Sequence, residues 1–150
     1  MVTLLEIKKH QDETSALIEM YEAQVRSKSI YPLTLEYPKL ANGEKFVGFI
    51  VSADGTKKHA IILLDGEKQD VTWSKAKEWA KSIGGDLPDR VESALLFNTL
   101  KSEFSSTWYW TNEAYGSSNA WIQGFGYGNQ YYDGVNGSCH ARAVRRLEIQ

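Results

Sequence analysis

The sequence predicts an α+β domain preceded by an N-terminal α-helix, and three features carry that reading. The stretch "KFVGFIVSADGTKKHAIILLD" reads as a β-hairpin, because two Val-, Ile- and Phe-rich runs flank Asp54-Gly55, a strong turn signal. Two amphipathic helical segments follow it. Beyond residue 107 the chain breaks into short aromatic strands separated by Gly, Asn and Ser.

With 150 residues the chain is long enough for one domain with a real core, and 42% hydrophobic residues can supply it. A formal net charge of -2 gives no general pull toward nucleic acid or an anionic membrane. The longest wholly apolar run, "AIILL", is far too short to span a bilayer, so no membrane insertion is expected. The opening "MVTLLEIKKHQDE" lacks a signal-peptide core and a small-residue cleavage site, which predicts a cytoplasmic protein. Cys139 is the single cysteine, so no intrachain disulfide can form and apolar packing must hold the fold.

Residues 3–26 read as a helix. Leu4, Ile7, Gln11, Thr14, Ile18, Tyr21 and Val25 follow alternating steps of three and four, the spacing of a coiled-coil seam. Two readings stand side by side: an oligomerisation handle giving a dimer or trimer, or an amphipathic helix docked on its own domain. Pro32, Pro38 and Asn42-Gly43 then mark a lead-in. The expected organisation is a helix over 1–28, a linker over 29–44 and a domain over 45–150.

Within the domain, Thr72 is placed to cap a helix over "WSKAKEWAKSI" that puts Trp73, Ala76, Ala80 and Ile83 on one side, and Gly84-Gly85 ends it. Asp89 and Glu92 have capping-box spacing, opening "RVESALLFNTLKSEF" with Val91, Ala94, Leu95, Leu100 and Phe104 on the buried stripe. Both helices should pack on a sheet. Four later strands are expected: "TWYWT", "AWIQGF", "QYYDG" and "ARAVRRL". Alternation with Trp108 and Trp110 inward puts Tyr109 outward.

The run "VTWSKAKEWAKSIGGDLPDRVESALLF", followed by "WYWT", "AWIQGF" and "ARAVRRL", resembles the Lcl-type C-type-lectin-like domain of unknown function, over roughly residues 45–148. The N-terminal "TLLEIKKHQDETSALIEMYEAQ" resembles the leader of phage- and prophage-encoded versions. The resemblance implies a C-type-lectin-like fold, with two helices packed on a twisted, mainly antiparallel sheet. It also implies a non-enzymatic binding module that recognises a protein or glycan near its C-terminal strands, as a virion or receptor-binding component. The alternative is an intracellular phage inhibitor of a host defence or regulatory protein. The location expected is then the host cytoplasm, or the virion.

The chain departs from sugar-binding C-type lectins: their disulfide cysteines and Glu-Pro-Asn or Trp-Asn-Asp calcium motifs are missing. Asn112, Glu113 and Asn119 are too few oxygen donors for a calcium site, and His10, His59 and His140 lack metal-ligand spacing. No metal or cofactor is expected. Cys139-His140 invites a nucleophile-and-base reading, but strand neighbours point to opposite faces. Arg142, Arg145 and Arg146 are too few for nucleic-acid binding, and one of them is expected to enter an internal ion pair while the others reach the surface.

Residues 106–134 hold no Lys or Arg and most of the aromatic mass. Tyr rings among Gly, Ser and Asn have the chemistry of a paratope: large contact area, few rotamers and a polar tip. The candidate ligand-binding residues are therefore Tyr115, Tyr127, Asn129, Tyr131, Tyr132 and, at the rim, His140. Trp108, Trp110 and Trp121 are assigned to the core.

Overall fold

The computed structural model describes residues 3–28 and 37–149. The chain divides into two compact units, Met1–Tyr37 and Pro38–Gln150. The predicted linker's residues 29–36 lie outside the described residues, as does the side chain of Val25.

The first unit contains α1 (Leu4–Lys28). Its start is a capping box: the Glu6 carboxylate accepts from the Thr3 N–H at 2.8 Å, while the Thr3 hydroxyl accepts from the Glu6 N–H at 3.4 Å. Leu4, Ile7, Ile18 and Tyr21 of the predicted seam are exposed, as are Gln11 and Thr14. Of the two polar seam positions, Gln11 and Thr14, the Thr14 hydroxyl donates to the His10 carbonyl at 2.7 Å.

The second unit is α+β. Its strands are β1 (Lys45–Val51), β2 (Lys58–Leu63), β3 (Lys68–Val71), β4 (Trp108–Tyr115), β5 (Asn119–Gly124), β6 (Gln130–Gly134), β7 (Cys139–Ala141) and β8 (Val144–Glu148). Helices α2 (Trp73–Ser82) and α3 (Arg90–Leu100) sit between β3 and β4. Three strands form one sheet in the order β1-β2-β8, and five form another in the order β3-β7-β4-β5-β6. All pairings are antiparallel except β4 with β7.

Local chemistry explains most boundaries. Gly55 adopts φ +71 in the β1–β2 turn, a conformation open to glycine at no steric cost. The Asp54 carboxylate accepts from the Thr56 N–H at 3.0 Å and closes that turn. At the end of α2, Gly84 has φ +84 and donates to the Lys81 carbonyl at 3.0 Å, while Gly85 donates to Ala80 at 2.9 Å, a Schellman termination. Thr72 occupies the N-cap of α2, but its side chain makes no capping bond. Asp89 and Glu92 form the predicted capping box of α3.

The centre of the five-stranded sheet is covered on both faces, so alternation along β4 does not put Tyr109 in water. One face packs Trp110, Ala120, Ile122, Cys139 and Ala141 with Ala76 and Ala80 of α2. The other packs Tyr109 and Phe125 with Leu96 of α3 and with Val47, Ile61 and Leu63 of the three-stranded sheet. Tyr109 is therefore buried rather than outward, because its face of β4 meets a second core. The predicted closing strand "ARAVRRL" is two strands: β7 joins the five-stranded sheet and β8 the three-stranded one, so this segment stitches the two together.

The helices present the expected stripes in part: Trp73, Ala76 and Ala80 of α2 and Leu95, Leu100 and Phe104 at α3 pack on the cores, and the rest differ. On α2, Ile83 is exposed at the C-cap while Trp79 is partly buried. On α3, Val91 and Ala94 are exposed, and Glu92, Ser93 and Leu96 are buried instead. The helix is rolled toward a charge. Glu92, with no exposed surface, meets Arg146 of β8 through paired 2.6 Å contacts from Nε and Nη2. All three arginines of the closing segment are engaged, and two of them, not the one expected, enter ion pairs. Arg145 forms a two-pronged pair with Glu44, at 2.6 and 2.7 Å. Arg142 donates to the backbone carbonyls of Glu103 and Leu64.

Candidate ligand-binding face

Beyond the N-terminal end of α3, four aromatic side chains form a ladder on the five-stranded sheet. Tyr131 and Tyr132 stack with ring centroids 4.7 Å apart, and Tyr132 stacks on Tyr115 at 4.1 Å. Tyr115 meets the edge of Trp121 at 5.0 Å. The Arg90 guanidinium lies 3.7 Å from the Trp121 ring centroid and closes the series.

Strand register explains why these residues meet. Trp121 of β5 sits directly opposite Tyr132 of β6, and Tyr115 lies at the β4–β5 turn opposite Asn119. Cross-strand aromatic pairs of this kind stabilise a sheet and fix each other's rotamers. Trp121 is thus a member of the surface ladder and not of either core cluster, which corrects its assignment.

An irregularity in β4 positions Arg90. Between Trp110 and Ala114 the strand carries extra residues relative to β5. The bulged segment reaches the start of α3: Asn112 N–H donates to the Pro88 carbonyl, and the Glu113 carboxylate accepts from the Arg90 N–H at 2.8 Å. Arg90 Nε then donates to Gln130 Oε1 at 2.9 Å, while Gln130 Nε2 donates back to the Arg90 carbonyl at 2.7 Å. Beside the ladder, Arg90, Val91, Ala94, Glu113, Gly128 and Gln130 line a depression of about 520 Å³. Bulges that re-aim side chains are frequent near binding sites.

The remaining candidate residues divide. Tyr127 projects from the β5–β6 connection with 96% of its surface exposed, next to Gly128 of the depression. Asn129 is exposed but works as a turn residue, its carbonyl accepting from the Gly124 N–H at 2.9 Å and from Gln123 Nε2 at 3.3 Å. Tyr131 is 57% exposed. A hydrogen bond with Tyr131, together with the charge that Tyr131 and Tyr115 would carry as phenolates, pushes the Tyr132 hydroxyl up from its ordinary value.

His140 is not brought to the tyrosines: β4 and β5 separate its strand from β6. It packs edge-on against Tyr109 at 5.3 Å, with Nδ1 3.5 Å from Glu67 and Nε2 4.0 Å from Asp70. Asp70 has φ +50, in the left-handed region that L-residues rarely occupy. The Tyr109 hydroxyl donates to Glu67, so this cluster ties β3 to the buried face of β4.

Cys139 points to the opposite core from His140, as strand alternation requires. Burial, reinforced by the Asp133 and Asp70 carboxylates, pushes its thiol up to about 12, far from a working nucleophile. Burial and the bond to Glu67 likewise push the Tyr109 hydroxyl up to about 12. Both groups stay neutral in the folded chain above the pH at which the unfolded chain releases their protons. The stability tied to them is complete below about pH 8 and is lost as pH rises through about 9 to 12. Urea unfolding midpoints should therefore fall steadily between about pH 8 and pH 11. In Cys139→Ala the fall should be shallower from its onset; an unchanged slope would remove the thiol from this account.

Among the described residues, no cluster of three or more His, Cys, Asp or Glu side chains can hold a metal ion, and no helix is long and apolar enough to cross a membrane. No protein-family model matches the chain, and no curated protein matches it. Sequence reasoning found three of the ladder's tyrosines. It missed Arg90, Gln130 and Glu113, whose only early signal was the Asp89–Glu92 capping box that places Arg90 in the first turn of a helix.

Proposed function

We propose that this chain is a non-enzymatic binding module with a C-type-lectin-like fold, of the phage or prophage type, which grips a protein or glycan through the Tyr115–Trp121–Tyr131–Tyr132 face. The observation that carries the reading is the locked aromatic ladder beside an open depression. Rings fixed by stacking and by the Arg90–Gln130 clamp lose little rotamer freedom on binding, so more of the contact energy appears as affinity. Tyr127 extends the same surface with both ring faces open to a ligand. Two helices on largely antiparallel sheets are consistent with the proposed fold family. The heptad positions Leu4, Ile7, Ile18 and Tyr21, exposed along α1, support self-association that would multiply weak contacts on a repetitive surface.

The test compares three full-length proteins on immobilised bacterial envelope proteins and glycans: the natural chain, Tyr131→Ala/Tyr132→Ala, and Ile7→Asp/Ile18→Asp. The tyrosine variant should lose about tenfold or more in affinity while staying folded, its unfolding temperature falling only as far as the lost stacking on Tyr115 and Trp121 requires. The helix variant should become monomeric by light scattering and lose avidity but not intrinsic affinity. Binding that survives the tyrosine variant intact ends the reading. A natural chain that is monomeric and holds one intracellular host protein one-to-one would put the inhibitor in its place.

A further inference from the structure

We infer that β1 is an interaction edge for a second copy of this chain, the two β1 strands pairing antiparallel across a two-fold axis. The edge is separate from the aromatic face. β1 ends the order β1-β2-β8, so one of its sides has no neighbouring strand.

Hydrogen-bond alternation decides which groups lie on that side. The Ser52 N–H donates to the Lys57 carbonyl at 2.9 Å, and the Ile149 N–H donates to the Lys58 carbonyl at 2.9 Å. Lys58 thus turns its carbonyl toward β8 and away from Val51, its cross-strand neighbour on β1. Bonded and non-bonded pairs alternate along an antiparallel ladder. Gly48 and Ile50 therefore bond β2, while Phe49 and Val51 point their N–H and C=O groups outward. Among the described residues no hydrogen bond reaches those four groups.

The edges at β8, β6 and β3 are closed by contrast. On β8, both the Val144 N–H and its carbonyl are taken by the Asp86 backbone, at 2.8 and 2.9 Å, and the charged Arg146 and Glu148 follow. On β6, the Gly134 carbonyl accepts from the Gly137 N–H and the Gly134 N–H donates to the Asp133 carboxylate, each at 2.7 Å. β3 leaves the extended region at Asp70, with φ +50. Charge, a covering segment or a kink is how sheet edges are normally guarded.

The guard on β1 is partial. Its register shift between Phe46 and Gly48 confines pairing to the last four residues, Gly48–Val51. That stretch carries no charge, and Val51 is 55% exposed. Phe49, beside Phe46 at 4.8 Å, shares the sheet face of Val51. A copy docked antiparallel with Ile50 opposite its own equivalent sets Phe49 against Val51 twice, once on each side of the axis. The register closes about four hydrogen bonds, matches apolar side chains with apolar ones and brings no like charges together. That self-matching favours the chain's own copy over a foreign strand. Contact along four residues falls short of a standard stable interface, so the pairing belongs to high local concentration.

The experiment follows the full-length Ile7→Asp/Ile18→Asp variant, in which helix contacts cannot contribute, by amide NMR from about 20 µM to about 1 mM. Cross-peaks of residues 48–52 should shift with concentration, and amide exchange at Phe49 and Val51 should slow about tenfold. Val51→Lys puts a charge in the seam, and Val51→Pro deletes an N–H that β2 does not use. Either should abolish the concentration dependence, Val51→Lys at a nearly unchanged unfolding midpoint. Absence of concentration dependence, shifts centred on other strands, or pairing that survives Val51→Lys overturns the inference. So does an octapeptide of alternating Thr and Val that moves these cross-peaks when the chain alone does not, which assigns the edge to a foreign strand.

Discussion

Glu92→Ala is expected to destabilise the domain by about 2–3 kcal/mol, because it removes a fully buried carboxylate that ties the partly exposed Arg146 to α3. Three losses coincide. Arg146 loses its two-pronged partner and keeps only the more distant Asp86 and Asp89 carboxylates. The Asp89 N–H loses its acceptor at the start of α3, half of a capping box. A fully buried side chain also leaves a void. Glu92→Gln restores the volume and one acceptor and should recover about half of the loss. Chemical denaturation of both variants and of Arg146→Met/Glu92→Leu separates the charge from the packing. If the apolar double variant is at least as stable as the natural chain, the pair serves positioning rather than stability. A cost of under about 1 kcal/mol for Glu92→Ala would contradict the burial argument itself.

The second large effect falls on Trp110. It is fully buried in the α2-facing core, and its indole N–H donates to the Val71 carbonyl at 2.8 Å, tying β4 to the end of β3. Trp110→Ala should cost about 3–5 kcal/mol, combining lost apolar burial with an unfilled cavity. Trp110→Phe retains most of the apolar contact but leaves the carbonyl of the partly buried Val71 without this donor, so a cost of about 1–2 kcal/mol is expected. Equilibrium unfolding checks both values. The order matters more than either figure, since a Phe variant as damaging as Ala would mean that the hydrogen bond outweighs the packing.

The sequence by itself determined the punctuation of the fold. Asp54-Gly55, Gly84-Gly85 and the Asp89–Glu92 spacing each encode a turn or helix end through residues a few positions apart, and each appears in the structure. Its tyrosine-rich stretch identified three members of the ladder before their arrangement was known. What no local pattern could supply was the number of layers packed on each strand. Covering β4 on both faces buried Tyr109, while Trp121, outside both core clusters, came to the surface under Arg90 at the first turn of α3. The same tertiary choice split the closing segment into β7 and β8 and rolled α3 until a glutamate, not a valine, faced inward. Turns and caps are decided by hydrogen bonds within one or two turns of chain. Which face of a strand or helix meets water is decided by partners as far off as Arg146 is from Glu92, and only the assembled layers bring those together.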